Sequence, residues 1–131
     1  MENYYTYPAI FTYEDKGISI FFPDLPGCLP TGKNEEEAIK NSQEALGLHL
    51  FGMEQDNEYI PQPSKIKDLT YIKGSAVVLI EVFMPPIRDA ALNKAVKKTL
   101  TIPAWLNYKA EMANVNFSKL LQESLMKHLN L

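Results

Sequence analysis

The side chains that could supply a nucleophile, a transferable proton or a metal ligand are few and lie far apart in the sequence. Cys28 is the one cysteine, and the two histidines are His49 and His128. A cysteine nucleophile needs a base beside it, and the sequence places neither histidine to act as one. We therefore interpret Cys28 as a small buried apolar residue. Three such residues spread over three predicted elements do not indicate a transition-metal site.

Carboxylates could hold divalent metal ions for nuclease chemistry, which needs several of them to converge. Glu81 lies on a predicted strand, but the other candidates lie in predicted turns: Glu14, Asp15 and Asp24. The run from Glu35 to Glu37 is explained by the start of a helix, where the helix dipole favours negative charge. We therefore expect no catalytic residue, no metal and no cofactor.

A different chemistry is indicated between residues 95 and 102, where apolar and polar side chains alternate as they do along an extended strand. One side of this segment holds Val96, Leu100 and Ile102. The other side holds Lys97, Thr99 and Thr101. Lys98 falls on the apolar side and weakens the alternation at its start.

Two short helices are predicted after this strand. Pro103 suits the first turn of one helix, Asn114 and Val115 break that helix, and Asn116 is a good N-cap for the next. A single strand has no partner for its backbone groups, and a unit of about 35–40 residues is small for a stable domain. Both problems disappear if two chains pair their strands antiparallel. The resulting homodimer is expected to have a shared core of Leu100, Ile102, Leu106, Phe117, Leu121 and Leu125.

Such a ribbon would display Lys97, Thr99 and Thr101 twice around a two-fold axis. A two-stranded ribbon fits the major groove of DNA, where lysine and threonine contact base edges. The alternative is that these residues are only good strand formers on a solvated face. The first turn of the last helix offers free backbone N–H groups to a DNA phosphate. The predicted phosphate contacts are Asn116, Phe117, Ser118 and Lys119.

The elements of residues 1–84 predict an α+β unit in the order β-β-(β)-α-β. A hairpin is predicted from strands at residues 4–13 and 18–22, joined by a turn that ends at Gly17. A short third strand at residues 28–31 is left open. Asn34 has the features of an N-cap for a helix that runs to about residue 53. Its predicted buried stripe is Ala38, Ile39, Ala45, Leu46, Leu50 and Met53, and a buried strand follows at residues 76–82. Residues 85–94 are interpreted as a linker or a short helical connection.

The charge is divided between the two ends of the chain. Residues 1–92 hold 14 acidic and 7 basic side chains, a net charge of −7, whereas residues 93–131 hold 6 lysines and 2 glutamates, a net charge of +4. This asymmetry suggests two roles, with a polyanion as partner of the basic end, although a chance imbalance is the alternative. No apolar run has the length of a membrane span, and we expect a cytoplasmic protein with no membrane partner.

Two stretches of the chain resemble known families. Residues 97–106, together with the segment from Asn116 to Glu123, resemble the ribbon-helix-helix DNA-binding domain. The Tyr7–Pro8–Ala9 strand, the segment from Phe22 to Cys28 and the helix start at residues 35–38 resemble the HicB antitoxin family. The resemblance implies a degenerate, partial RNase H-like domain at residues 1–84 and a ribbon-helix-helix domain at residues 95–131 for dimerisation and DNA binding.

The same resemblance implies partners and a function. A HicB antitoxin binds and neutralises a HicA toxin, a small basic ribonuclease that cleaves mRNA, and represses the operon that encodes both proteins. The acidic first part of the chain suits a basic partner. The homodimer is expected to form through residues 95–131, with a higher oligomer left open. The alternatives are a stand-alone ribbon-helix-helix regulator with an N-terminal ligand-sensing domain, and an enzyme built on residues 1–84.

Overall fold

The computed structural model describes residues 1–131, which divide into two compact units, Met1–Ala95 and Val96–Leu131. The first unit contains four strands: β1 (Tyr4–Glu14), β2 (Gly17–Phe21), β3 (Thr31–Gly32) and β4 (Ser75–Phe83). It also contains helices α1 (Glu35–Gln55) and α2 (Met84–Ala91) and a 3-10 turn at Ile66–Asp68. The second unit contains α3 (Ala104–Met112) and α4 (Phe117–His128). The predicted α+β class is confirmed.

The sheet has the order β3-β2-β1-β4, and all neighbouring strands are antiparallel. β1 and β2 form the predicted hairpin, whose turn is completed by Gly17 with a positive φ of 149°. A side chain at Gly17 would also collide with the backbone oxygen of Gly32, because an added Cβ would lie 2.7 Å from it. The third strand exists, but it is only two residues long.

α1 crosses one face of the sheet and begins where the sequence predicts. The Asn34 side chain accepts a hydrogen bond from the backbone N–H of Glu37 at 2.8 Å, which confirms Asn34 as the N-cap. The buried residues of α1 are Ala38, Ser42, Leu46, Gly47 and Leu50. The prediction is wrong for Ile39, which is exposed, because the buried stripe follows the small residues that let the helix approach the sheet closely.

The segment that follows β4 is the short helix α2 along most of its length, one of the two forms that the sequence allowed. The two prolines Pro85 and Pro86 fall in the first turn of α2, where helical N–H groups have no acceptor within the helix. Ile87 lies against Gly47 of α1, and Arg88 is bonded to Glu54 of α1. The first compact unit runs to Ala95 and includes α2.

The second unit is two helices preceded by an extended segment. Asn116 caps α4, since its side chain accepts a hydrogen bond from the backbone N–H of Lys119 at 3.0 Å. Asn114, with a positive φ of 56°, ends α3 at the predicted break. No strand is assigned between Ala95 and Pro103 in the single chain. A ribbon at these residues needs a second chain and stays a prediction.

We expect Gly32→Ala to destabilise the first unit by about 1–3 kcal/mol, as overpacking of a tight site does. The added Cβ would lie 2.5 Å from the backbone N and Cα of Ala38, and neither atom can move without shifting the start of α1. Urea unfolding followed by circular dichroism measures the loss.

Gly52→Ala is the matched control, because a Cβ at this helical position meets nothing within 4 Å. It should stabilise the chain by about 0.5–1 kcal/mol through its better helix propensity. An unfolding midpoint for Gly32→Ala equal to or above that of the wild type would contradict the close approach.

Candidate binding surfaces

The predicted base-contacting residues lie in the extended segment that precedes α3. Lys97, Thr99 and Thr101 are all exposed, and none makes a side-chain hydrogen bond within the chain. Lys98, on the other side of the alternation, is exposed as well. The single chain therefore leaves these side chains accessible, and it does not by itself arrange them on one ribbon.

The four predicted phosphate contacts come together at the start of α4. Asn116 uses its side-chain oxygen to accept the Lys119 N–H, so the cap leaves the backbone N–H groups of Phe117 and Ser118 as free donors of the first turn. α4 has 12 residues, and its dipole places partial positive charge at this end. The arrangement can bind an anion such as a phosphate oxygen.

The predicted dimer core is not buried in the single chain. Leu121 is half-buried, and the other five residues are exposed: Leu100, Ile102, Leu106, Phe117 and Leu125. No residue of the second unit is buried. Trp105 is 62% exposed as well, with the Lys109 ammonium 5.7 Å from its ring centroid. This unit lacks a core of its own.

Cys28 is buried in the core of the first unit, as its sequence context suggests. Burial raises the pKa of its thiol to about 11, so the reactive thiolate is scarce near neutral pH. The histidines lie on other elements, His49 in α1 and His128 at the end of α4. No group of three or more His, Cys, Asp or Glu side chains is arranged to hold a metal ion. No helix of the chain has the length and hydropathy of a membrane span.

A buried ion pair that the sequence analysis missed joins α2 to α1. The Arg88 guanidinium donates to both oxygens of the Glu54 carboxylate, at 2.9 and 2.7 Å, and the Glu54 side chain is only 2% exposed. Tyr5 donates a further hydrogen bond to Glu54 at 3.3 Å. Hydrogen bonding to Glu54 raises the pKa of Arg88. A cavity of about 290 Å³ lies beside this pair, and Arg88 is one of its lining residues. The positive charge of Arg88 is already paired with the Glu54 carboxylate.

The sheet has a second face that α1 does not cover, which we call the open face. The strand register determines which side chains lie on this face. They are the side chains at even positions of β1 and their cross-strand partners in β2 and β4. Pro8 and Ile10 lie at its centre and are buried, whereas four large apolar residues around them are exposed: Tyr4, Phe21, Leu79 and Phe83. A groove of about 350 Å³ runs at one end, between Phe21 and Leu29.

The sequence of β1 contains an indication of the open face, although it is not an alternation of apolar and polar residues. Residues 7–11 of β1 are apolar at both odd and even positions, and the structure buries all five of them. A strand that is apolar on both sides is typical of a sheet in which both faces are covered. In the first unit, α1 and the core it contacts account for only one of these faces.

Comparison with known proteins identifies relatives along nearly the whole chain. Residues 7–124 match a family described as HicB_like antitoxin of bacterial toxin-antitoxin system. A protein of Haemophilus phage HP1, named only as an uncharacterized 14.9 kDa protein in the rep-hol intergenic region, is 30% identical over 110 residues, which are 80% of this chain and 78% of that protein. Antitoxin HicB 2 of Photorhabdus laumondii is 31% identical over 60% of this chain and 55% of its own length.

Solved structures agree with this likeness. A chain of a structure titled "Toxin-Antitoxin complex from Streptococcus pneumoniae" superposes with a TM-score of 0.62 at 25% identity, covering 95% of this chain and 99% of that one. The antitoxin HicB of Burkholderia pseudomallei superposes with a TM-score of 0.56 at 20% identity, covering 95% and 98%. The second likeness is one of fold.

We expect Cys28 to react slowly with iodoacetamide in the native chain. With its pKa near 11, the thiolate fraction at pH 8 is on the order of 10⁻³, against roughly a quarter for a cysteine of ordinary pKa. Mass spectrometry of the native and the urea-unfolded chain, alkylated at pH 8, measures the two rates. A native rate within tenfold of the unfolded rate would contradict the burial of this thiol.

Proposed function

The chain belongs to the HicB-like antitoxin family of bacterial toxin–antitoxin systems, and from this premise we propose that its first unit binds and neutralises a HicA-like toxin while its second unit represses the operon by binding operator DNA. The observation that carries this proposal is the family match across residues 7–124, which spans both units. It favours an antitoxin over a stand-alone regulator or an enzyme.

The first unit has the properties that a toxin-binding domain requires. It has a core of its own, formed by one face of the sheet and α1, and its 14 acidic and 8 basic side chains give residues 1–95 a net charge of −6. An mRNA-cleaving toxin must present positive charge to RNA, so an acidic partner is attracted to it and competes for the same surface. We assign toxin neutralisation, and the partial RNase H-like classification, to this unit.

The second unit has the properties of half a DNA-binding dimer. Its helices expose the apolar side chains that a second copy would cover, among them Leu106, Phe117 and Leu125. The exposed backbone of residues 96–102 needs a partner strand, and antiparallel pairing with the same segment of a second chain supplies it. We therefore propose a ribbon-helix-helix homodimer in which Lys97, Thr99 and Thr101 contact bases.

The capped start of α4 would hold the dimer in register on the DNA backbone. Phosphate contacts position a protein without reading sequence, so the roles of the ribbon and of the helix start are separable by experiment. The proposed phosphate contacts remain Asn116, Phe117, Ser118 and Lys119, with the free N–H groups of the first turn as the principal donors.

Toxin binding is expected to survive removal of the second unit. Residues 1–95 contain all of the strands and both helices of the first unit, so a chain ending at Ala95 retains the Arg88–Glu54 pair that a chain ending at residue 84 would lose. Calorimetric titration with an inactivated HicA-like toxin measures the affinity, and circular dichroism verifies the fold. We expect a Kd no more than about 100-fold weaker than that of the full chain, the difference arising from lost avidity.

The chain ending at residue 84 is the matched control, and it should be less stable. A folded chain of residues 1–95 with no measurable affinity, beside a full chain that binds the toxin, would contradict the assignment of toxin binding to the first unit.

Sequence-specific DNA binding should fail when Lys97, Thr99 and Thr101 are changed together to Ala. Each lost base contact is expected to cost about 1–3 kcal/mol and to relax sequence preference. Lys98→Ala is the matched control, because it removes one charge from the same segment on the other side of the alternation. Fluorescence anisotropy with operator and scrambled DNA at two salt concentrations measures both affinity and preference.

Ser118→Ala should weaken binding to both DNA sequences by a similar factor, as expected for a residue at the phosphate site. Light scattering of each variant verifies that the dimer persists. A triple-alanine protein that stays folded, dimeric and equally selective for operator DNA would show that the ribbon does not read the bases.

A further inference from the structure

The open face of the sheet is an apolar surface that neither helix of the first unit covers. Its centre is formed by Pro8 and Ile10 of β1, opposite Leu79 and Val77 of β4. Phe21 of β2 stands on the other side of Ile10. Pro8 and Ile10 are themselves buried, so the apolar side chains that a partner can reach on this face are Tyr4, Phe21, Leu79 and Phe83. Exposed apolar patches on a folded unit can mark an interaction site.

Aromatic side chains extend this surface to the end of the sheet. The Tyr4 and Phe83 rings, which are cross-strand partners, lie with their centroids 4.7 Å apart, and both are exposed. At the opposite end, the groove beside Phe21 and Leu29 adds a recess of about 350 Å³. The face thus combines an exposed aromatic end, the exposed Leu79 near the middle of the sheet and a recess, features that a protein partner can match.

The charge on the open face has one sign. Glu14 and Glu81 are the only charged side chains among the strand positions that point to this side, and both are exposed. The other polar residues there are neutral: Thr6, Thr12, Ser19, Thr31 and Ser75. A second copy stacked on the same face would bring carboxylates together with no cation between them, which disfavours self-association here.

We propose that the open face is the toxin-docking surface of this chain. Its partner surface would be apolar at the centre and carry lysine or arginine at its edge, where it meets Glu14 and Glu81. This inference rests on the proposed function, since the partner is the HicA-like toxin, and it adds which side of the antitoxin the toxin meets. α1, on the other side of the sheet, then serves as the support that holds the docking strands in place.

Leu79→Ser tests the apolar part of the surface in the full-length protein. Leu79 lies in the middle of β4 and is 54% exposed, whereas Leu48 on α1 is 61% exposed on the opposite side of the unit, so Leu48→Ser is the matched control. In calorimetric titrations with an inactivated HicA-like toxin, Leu79→Ser should weaken the affinity by at least about tenfold, the loss typical of a central contact. Leu48→Ser should change it by less than about twofold.

The acidic part is tested by Glu14→Gln combined with Glu81→Gln. These changes preserve the hydrogen bonds that the two carboxylates accept from Ser19 and Thr6. Glu44→Gln combined with Glu58→Gln changes the net charge equally at exposed positions away from the face. Stopped-flow association at low and high salt should show a loss of on-rate of at least about threefold for the first pair, mostly at low salt, and little for the second.

The outcomes separate this inference from the proposed function. A wild-type chain that binds no toxin overturns both. If the wild type binds and both sets of open-face variants behave as their controls do, the docking surface lies elsewhere, although the chain remains an antitoxin. If Leu79→Ser changes the oligomeric state by light scattering and leaves toxin affinity intact, the face belongs to a second copy and the inference is wrong. Should Leu79→Ser unfold, the two glutamine pairs decide the matter.

Discussion

The pairing of β1 along both of its edges is the interaction on which the first unit depends. β1 meets β2 through a tight hairpin, but it meets β4 only after the chain has passed through α1 and the long loop that follows. The β1–β4 pairing joins residues about 70 positions apart and covers nine residue pairs, from Tyr4 with Phe83 to Thr12 with Ser75. Closing so long a loop costs chain entropy, which burial of the apolar residues on β1 offsets.

This central strand divides the sheet into two faces with different roles. α1 packs on one face closely enough that Gly32 and Gly47 stand where any side chain would collide with Ala38 or Ile87. Arg88 and Glu54 then secure α2 against α1. Breaking such a buried pair leaves a charge without a partner, so the end of β4 is fixed in place. Neither helix of the first unit covers the opposite face, whose exposed apolar side chains are Tyr4, Phe21, Leu79 and Phe83.

The two units reach stability by different routes. The first unit buries a continuous core that includes Phe11, Leu46 and Ile80, whereas the second buries no residue at all. Two short helices without a core of their own are small for a domain that is stable alone. The self-sufficient unit is the acidic one, with a net charge of −6 over residues 1–95, and the unit without a core is the basic one.

Features that depend on neighbouring residues were determined by the sequence. The turn at Gly17, the caps at Asn34 and Asn116 and the break at Asn114 follow from local hydrogen bonding and backbone conformation, and all four are present in the structure. Burial of Cys28 and the order of the strands around α1 also followed from local pattern.

Only the tertiary structure decided which surfaces meet. It exposed Ile39, buried Ser42, packed α2 onto α1, and left one face of the sheet uncovered by either helix. Each of these depends on contacts between residues tens of positions apart, where close approach selects small side chains rather than apolar ones. Hydrophobic periodicity indicates which side of a helix or strand is apolar, but the fold determines which surface that side packs against.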